Sequence, residues 1–287
     1  MSRKGFVRAV GKNYTREDLL KMEPVALGGL FRERVHHGIE VKFNQIIARN
    51  MPVPENFGYE ARMILEVWRE RGFSEKTPDI EWGKKYIEFA DRLNKGEKVK
   101  PEELPSPPEP FKKEEMETVE KLIRERRSIR EWEEKPVPGE LIEKIMEAGR
   151  AAPLGCNLGV VRFIVLTSEE EISAITSDIP TPAGRCVIIV IGYDDRIYPA
   201  VGHDKIVPHN QVLDCAAAGD HMLLMAHALG LGGVWLTQTE KTSLRFKEKI
   251  GAPKYFQPVM HIALGWPANG TIKTERTPLK DMIIKIK

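Results

Sequence analysis

Five prolines fall between Lys98 and Lys113, interleaved with charge and without apolar periodicity. Such a stretch predicts a stiff, extended linker or an arm lying on a surface. It divides the chain into an N-terminal part (1–97), the linker itself (98–113) and a C-terminal part (114–287). With 287 residues in all, there is room for one large domain or two small ones.

The N-terminal part reads as helical. Tyr59 to Trp68 places Met63, Val67 and either Ile64 or Trp68 on adjoining faces, with Gly72 as a stop. Trp82 to Leu93 repeats the pattern through Tyr86, Phe89, Ala90 and Leu93. The adjacent pair His36-His37 invites a metal reading. Neighbours on a helix point in different directions, however, and no ligand-spacing motif follows, so the pair reads as solvated or capping histidines. No metal is assigned.

The C-terminal part alternates helix and strand. Glu114 to Glu125 predicts an amphipathic helix with Met116, Val119, Leu122 and Ile123 inward. Pro138 opens a second helix, which ends before Pro153. Val160 to Leu166 predicts a strand, and the continuous apolar run Cys186 to Gly192 a strand buried on both faces. Asn210 to Leu229, rich in Ala, Met and Leu, predicts a long helix stopped by Gly230 and covered by core or by a subunit interface. Gly233 to Thr237 and Pro258 to Leu264 predict two more strands with a helix from about Thr242 to Ile250 between them. Strands separated by helices indicate a layered arrangement.

Composition narrows the function classes. Hydrophobic content of 41% and charged content of 30% fit an ordinary globular protein. A net charge of +2 gives no global field to recruit nucleic acid or a membrane surface, so any anion binding must be local. No apolar run approaches the ~18 residues of a membrane span. The start of the chain lacks the apolar core of a secretory signal. Cys156, Cys186 and Cys215 form no CxxC pair, and their odd number argues against a disulfide framework. A reducing, cytoplasmic setting is expected.

Four short motifs carry chemistry. Arg126-Arg127-Ser128-Ile129-Arg130 packs three guanidinium groups and a hydroxyl into five residues. Arginine forks match phosphate oxygens, and serine adds a neutral donor. A solvated basic face at a helix end is the competing reading. Pro153-Leu154-Gly155-Cys156-Asn157 could hold backbone close to a flat ligand, or be an ordinary helix-stop loop. Gly230-Leu231-Gly232-Gly233 leads into Val234-Trp235-Leu236-Thr237-Gln238, either a wall beside a ligand or a cap and turn feeding a core strand. Arg276, in Arg276-Thr277-Pro278-Leu279, could return to the phosphate or lie on the surface.

In this order the motifs resemble the FMN-dependent nitroreductase family, over about residues 116 to 285. The resemblance implies an α+β fold, a three-layer α/β/α sandwich, here with an N-terminal helical extension. It implies an intertwined homodimer with FMN at the subunit interface. Arg126, Arg127, Ser128, Arg130 and Arg276 would hold the phosphate and ribityl side from one subunit, with Arg127 near the ring or pyrimidine edge. Pro153, Leu154, Gly155 and Asn157 would come from the other. Trp235, Leu236, Thr237 and Gln238 would line the ring, a backbone amide of Thr237 or Gln238 facing flavin N5. The chain departs from the family where a Pro-Ser turn becomes Pro153-Leu154 and a Gln-Pro-Trp becomes Gly159-Val160-Val161. Those changes bear on substrate more than on fold.

The implied activity passes hydride from NAD(P)H through flavin N5 to an organic acceptor: a nitro compound, quinone, enone or specialised metabolite. The cycle is ping-pong, and the protein supplies orientation and electrostatics rather than a catalytic triad. Two alternatives stay open. One is a flavin-binding sensor or assembly protein without turnover; the other is a dehalogenating or flavin-consuming member of the same fold. His203 and His209 lie in a loop that could serve a substrate. Cys156 sits in the expected flavin loop with no base partner in view.

Overall fold

The apolar run 186–192 lies in an inner strand of a four-stranded sheet with helices on both faces. These features come from a computed structural model, which describes residues 5–176, 184–237 and 239–284.

The chain opens on a hairpin that the sequence pattern did not announce, β1 (Val7–Ala9) with β2 (Lys12–Tyr14). Helix α1 (Arg16–Lys21) follows, closed by a capping box in which the Thr15 hydroxyl accepts from the Asp18 amide and the Asp18 carboxylate accepts from the Thr15 amide. Helix α2 (Pro24–Val35) runs into a π-helical turn at His36–Glu40 and on into α3 (Val41–Arg49). Helices α4 (Tyr59–Glu70) and α5 (Pro78–Asn94) complete this part. The proline stretch is tied down at its start, where Val99 is buried and Glu103 accepts from Arg92.

Beyond it come α6 (Lys113–Glu125), α7 (Gly139–Arg150), β3 (Val161–Leu166), α8 (Glu169–Thr176), β4 (Val187–Asp194), α9 (Ile197–Val201), α10 (Asn210–Ala228), β5 (Gly232–Thr237), α11 (Glu240–Ile250), β6 (Phe256–Gly265) and α12 (Leu279–Met282). The sheet order is β3-β4-β6-β5, and every pairing is antiparallel. Continuous apolar runs are the habit of parallel strands. Here the run arises because both faces are covered. Val187, Ile189 and Ile191 of β4 join Met260, Ile262 and Leu264 of β6 in a core closed by α7 and α10. Ile188 and Val190 point the other way, with Ala263 of β6, Phe246 of α11 and Ile175 of α8. The period of two thus feeds two cores from one strand. The layers are helix, sheet, helix, an α+β three-layer sandwich.

The N-terminal helices share their core with the sandwich. Leu27, Leu30, Phe31, Val35 and Ile64 cluster with Leu158, Val160, Ile197, Tyr198 and Val201. Each fully buried aliphatic side chain contributes about 1.5–3 kcal/mol of transfer free energy. Arg32 reinforces the contact, donating from Nε and Nη2 to the Leu158 carbonyl (3.0 and 2.7 Å) and from Nη1 to Asp79 (2.7 Å).

Helix α6 corrects an expectation. Met116, Val119 and Ile123 do not face inward; they are 51%, 41% and 60% exposed, and no residue of the helix is buried. The periodicity is right, but among the described residues only Leu122 of this face is half-buried and the rest is left uncovered. Leu279, Met282, Ile283 and Ile284 near the end of the chain are equally bare. No helix among the described residues is long and apolar enough to cross a membrane.

Candidate functional site

After α6 the chain straightens and runs beside the start of β5. Ser128 bridges Gly233 in parallel, and the Ile129 amide donates to the Gly233 carbonyl at 3.1 Å. Trp132 is buried and donates from its indole to the Gly232 carbonyl at 2.9 Å. The Gly230-Leu231-Gly232-Gly233 sequence now has local reasons. Gly230 ends the preceding helix at φ +80, and a Cβ on Gly232 would lie 2.6 Å from Ile129. Ile129 packs against the sheet core. The alternation of an extended segment therefore sends Ser128 and Arg130 to the opposite side.

There they line a cavity of about 410 Å³. Arg124, Arg126, Arg127, Arg130, Lys273 and Arg276 are on its walls with Ser128, and among the described residues no carboxylate is. Two unit charges 4 Å apart repel by about 4 kcal/mol at an effective dielectric constant of 20. Six cations in one cavity therefore favour an anion strongly. A second cavity of about 450 Å³ shares Arg126 and Arg127 and is walled by Leu223, Gly230 to Gly233 and Pro267 to Thr271. Glu125 and His227 also line it, so this second cavity mixes charge with backbone and apolar surface.

The other expected site residues lie elsewhere. Pro153, Leu154, Gly155 and Asn157 occupy the turn after α7 and line neither of these cavities. The turn is held by Asp214 of α10, whose Oδ1 accepts from the Gly155 amide at 2.8 Å. Burial pushes the Asp214 carboxyl up, against that hydrogen bond. Trp235, Leu236 and Thr237 are at the far end of β5, with Trp235 37% exposed. Gln238 lies outside the described residues. One chain therefore gathers Arg126, Arg127, Ser128, Arg130 and Arg276, and holds the remaining candidates apart from them.

A second polar cluster was not anticipated. Cys156 sits at φ +53 in the turn, half-buried, with its sulfur 3.8 Å from His37 Nε2. His37 Nδ1 is 2.9 Å from Glu33, and His36 Nδ1 is 2.7 Å from Glu40. Glu33 is 2% exposed and also paired with Arg34. Burial would raise the Glu33 carboxyl, yet the hydrogen bonds from His37 and Arg34 outweigh it and hold the group below its ordinary value. His203 is 3% exposed, 4.0 Å from Glu33. It is a buried neighbour of the cluster, not a solvent-facing loop side chain. The imidazoles of His203 and His37 lower the Cys156 thiol to about 6. Hydrogen bonds to Cys156 and Glu33 raise His37 to about 9.

The chain matches known proteins over this sandwich. The profile of the nitroreductase family covers residues 123–201 and 180–266. A provisional NADH dehydrogenase/NAD(P)H nitroreductase of Methanothermobacter thermautotrophicus is 32% identical over 155 residues, 52% of this chain and 78% of that protein. The oxygen-insensitive NADPH nitroreductase of Salmonella typhimurium is 27% identical over 175 residues, 56% of this chain and 70% of its own length. Among solved structures, a nitroreductase from Desulfovibrio desulfuricans in complex with FMN superposes with a TM-score of 0.51 at 28% identity, covering 59% of this chain and 96% of that one. With the sandwich, the ordered motifs and these matches in agreement, the chain belongs to the nitroreductase family.

Proposed function

We propose that the chain is an FMN-dependent oxidoreductase that moves hydride from NAD(P)H to an organic acceptor in a ping-pong cycle. The observation that carries this reading is the cavity of about 410 Å³ whose walls hold Arg126, Arg127, Arg130, Arg276 and Ser128. Its donor set fits a phosphate monoester. Guanidinium forks bind two oxygens at once, and the serine hydroxyl takes a third. The FMN in the Desulfovibrio desulfuricans relative supports the choice of ligand.

When bound, FMN supplies a hydride acceptor and donor at N5. The chain does the rest. Arg126, Arg130, Ser128 and Arg276 hold the charged end, and Arg127 reaches toward the ring. Trp235 and Leu236 form an apolar wall, while the amides of Thr237 and Gln238 orient and stabilise charge at the redox edge. Pro153, Leu154, Gly155 and Asn157 serve the site of a second copy. That arrangement gives the bare faces of α6 and the chain end a purpose, since a homodimer would cover Met116, Ile123, Leu279 and Ile284.

The test is a visible spectrum of purified protein, then anaerobic titration with NADH and NADPH. Yellow protein that bleaches supports the enzyme. Colour that survives both nucleotides favours a flavin-binding module without turnover. Protein that stays colourless after soaking in excess FMN overturns the reading.

A further inference from the structure

We infer that His36, His37 and Cys156 form a binding site for a single divalent transition-metal ion of the zinc class. The three side chains come from opposite sides of the contact between the N-terminal helices and the sandwich. Their ligand atoms all lie within 4.8 Å of one another.

Three features of the arrangement point to a metal. The first is the π-helical turn His36–Glu40. A wider turn rotates successive residues by less than an α-helix does, and two adjacent imidazoles come to share a side, with ring centroids 4.8 Å apart. The second is the set of carboxylates behind the rings. His36 Nδ1 meets Glu40 at 2.7 Å, and His37 Nδ1 meets Glu33 at 2.9 Å. Each carboxylate accepts the Nδ1 proton and so turns Nε2 toward the ion, which displaces any proton held there as it binds. Histidines that ligate metals are oriented in this way by a carboxylate behind the ring. The third is the sulfur. His37 Nε2 is 3.8 Å from Cys156 Sγ. In a tetrahedral zinc site, bond lengths near 2.3 Å to sulfur and 2.0 Å to nitrogen place those atoms about 3.5 Å apart. A small movement of the half-exposed His37 ring closes the difference.

The chemistry selects the ion. One thiolate with two imidazoles suits zinc or cobalt and does not suit magnesium or calcium, which take oxygen. Two further facts frame the site. His203, also within reach of Glu33, has a buried Nδ1 without a hydrogen-bond partner. On the other side, His37 lines a cavity of about 680 Å³ with Arg8, Arg34, Lys42 and Tyr59. Three protein ligands leave a fourth position, which is open to water from that cavity. A bound ion would clamp the helix carrying His36 and His37 onto the Gly155–Asn157 turn.

The experiment titrates reduced full-length protein with Co²⁺ under anaerobic conditions. Spectra are taken as differences from the same sample before cobalt, so that any bound chromophore cancels. A thiolate-to-cobalt charge-transfer band that saturates at one equivalent and is displaced by Zn²⁺ is expected. C156S should abolish the band, and E40Q should weaken affinity by about 10- to 100-fold while keeping it. The double variant H36Q/H37Q keeps the Cys156 thiol and should also lose the band, so the result does not hang on C156S folding. Circular dichroism without metal checks each variant. A wild-type protein with no such band overturns the proposal, and so does a band that persists in C156S or in the double histidine variant.

Discussion

Helices α4 and α6 carry the same amphipathic rhythm and meet opposite fates. In α4, Ala61, Met63, Ile64, Leu65 and Val67 are buried. In α6, no residue is buried and three apolar side chains face solvent. Period tells which side of a helix is apolar; it does not tell what will cover that side. The first helix finds its cover inside the chain, against α2, α5 and the hairpin. The second keeps most of its apolar face bare among the described residues, and it leads directly into the arginine run that walls the basic cavity.

That contrast can be broken or sharpened in four ways. The largest effect should come from the covered helix. Ile64→Ala removes a side chain with no exposed surface and should lower unfolding free energy by about 2–5 kcal/mol in urea denaturation. A loss under about 1 kcal/mol would mean that α4 is not part of the cooperative core. On the uncovered side, Arg276→Ala should spare folding and weaken FMN. Losing a charged hydrogen bond is worth about 1.5–3 kcal/mol, roughly 10- to 100-fold in dissociation constant, readable by quenching of free-flavin fluorescence. Unchanged affinity would remove Arg276 from the site.

The third prediction concerns pH and belongs to the covered sheet. His261 on β6 is 2% exposed, and burial lowers it from 6.5 to about 4. Between those values the unfolded chain binds the proton more readily than the folded one. Stability is therefore complete above pH 6.5 and falls as pH drops toward 4, by about 1.4 kcal/mol per unit. Urea midpoints at pH 7 and pH 5 should differ by the equivalent of about 2 kcal/mol from this group, and His261→Gln should remove that share. The smallest effect on folding should be Ile123→Glu in α6, within about 0.5 kcal/mol for the isolated chain. Sedimentation should nevertheless show weaker self-association. Cooperative collapse of this variant would mean that α6 is covered within its own chain after all.

Some of this was legible from residue order because it is local. The run 186–192 announces a strand buried on both faces, and Gly230 a helix stop. The clustering of Arg126, Arg127 and Arg130 is local, whereas Lys273 and Arg276 come from a distant segment to line the same cavity. What escaped was what distant segments do to one another. Cys156 lacked a base partner in sequence because that partner, His37, is 119 residues away. An α-helix sends adjacent side chains such as His36 and His37 in different directions, whereas the turn there is a π-helix and their ring centroids lie 4.8 Å apart. Asp214 gave no signal at all, for its task is to hold the Gly155 amide across the fold.

The lacing of residues 128–132 onto the start of β5 has a kinetic consequence. The Ile129 amide and the Trp132 indole are both spoken for by carbonyls of the sheet, so the backbone beneath the arginines is fixed beforehand. A phosphate ester arriving there loses its own freedom but imposes little ordering on the protein. Its capture should be governed by encounter rather than by loop folding. With six like charges drawing it in, the association rate should fall steeply as salt is added.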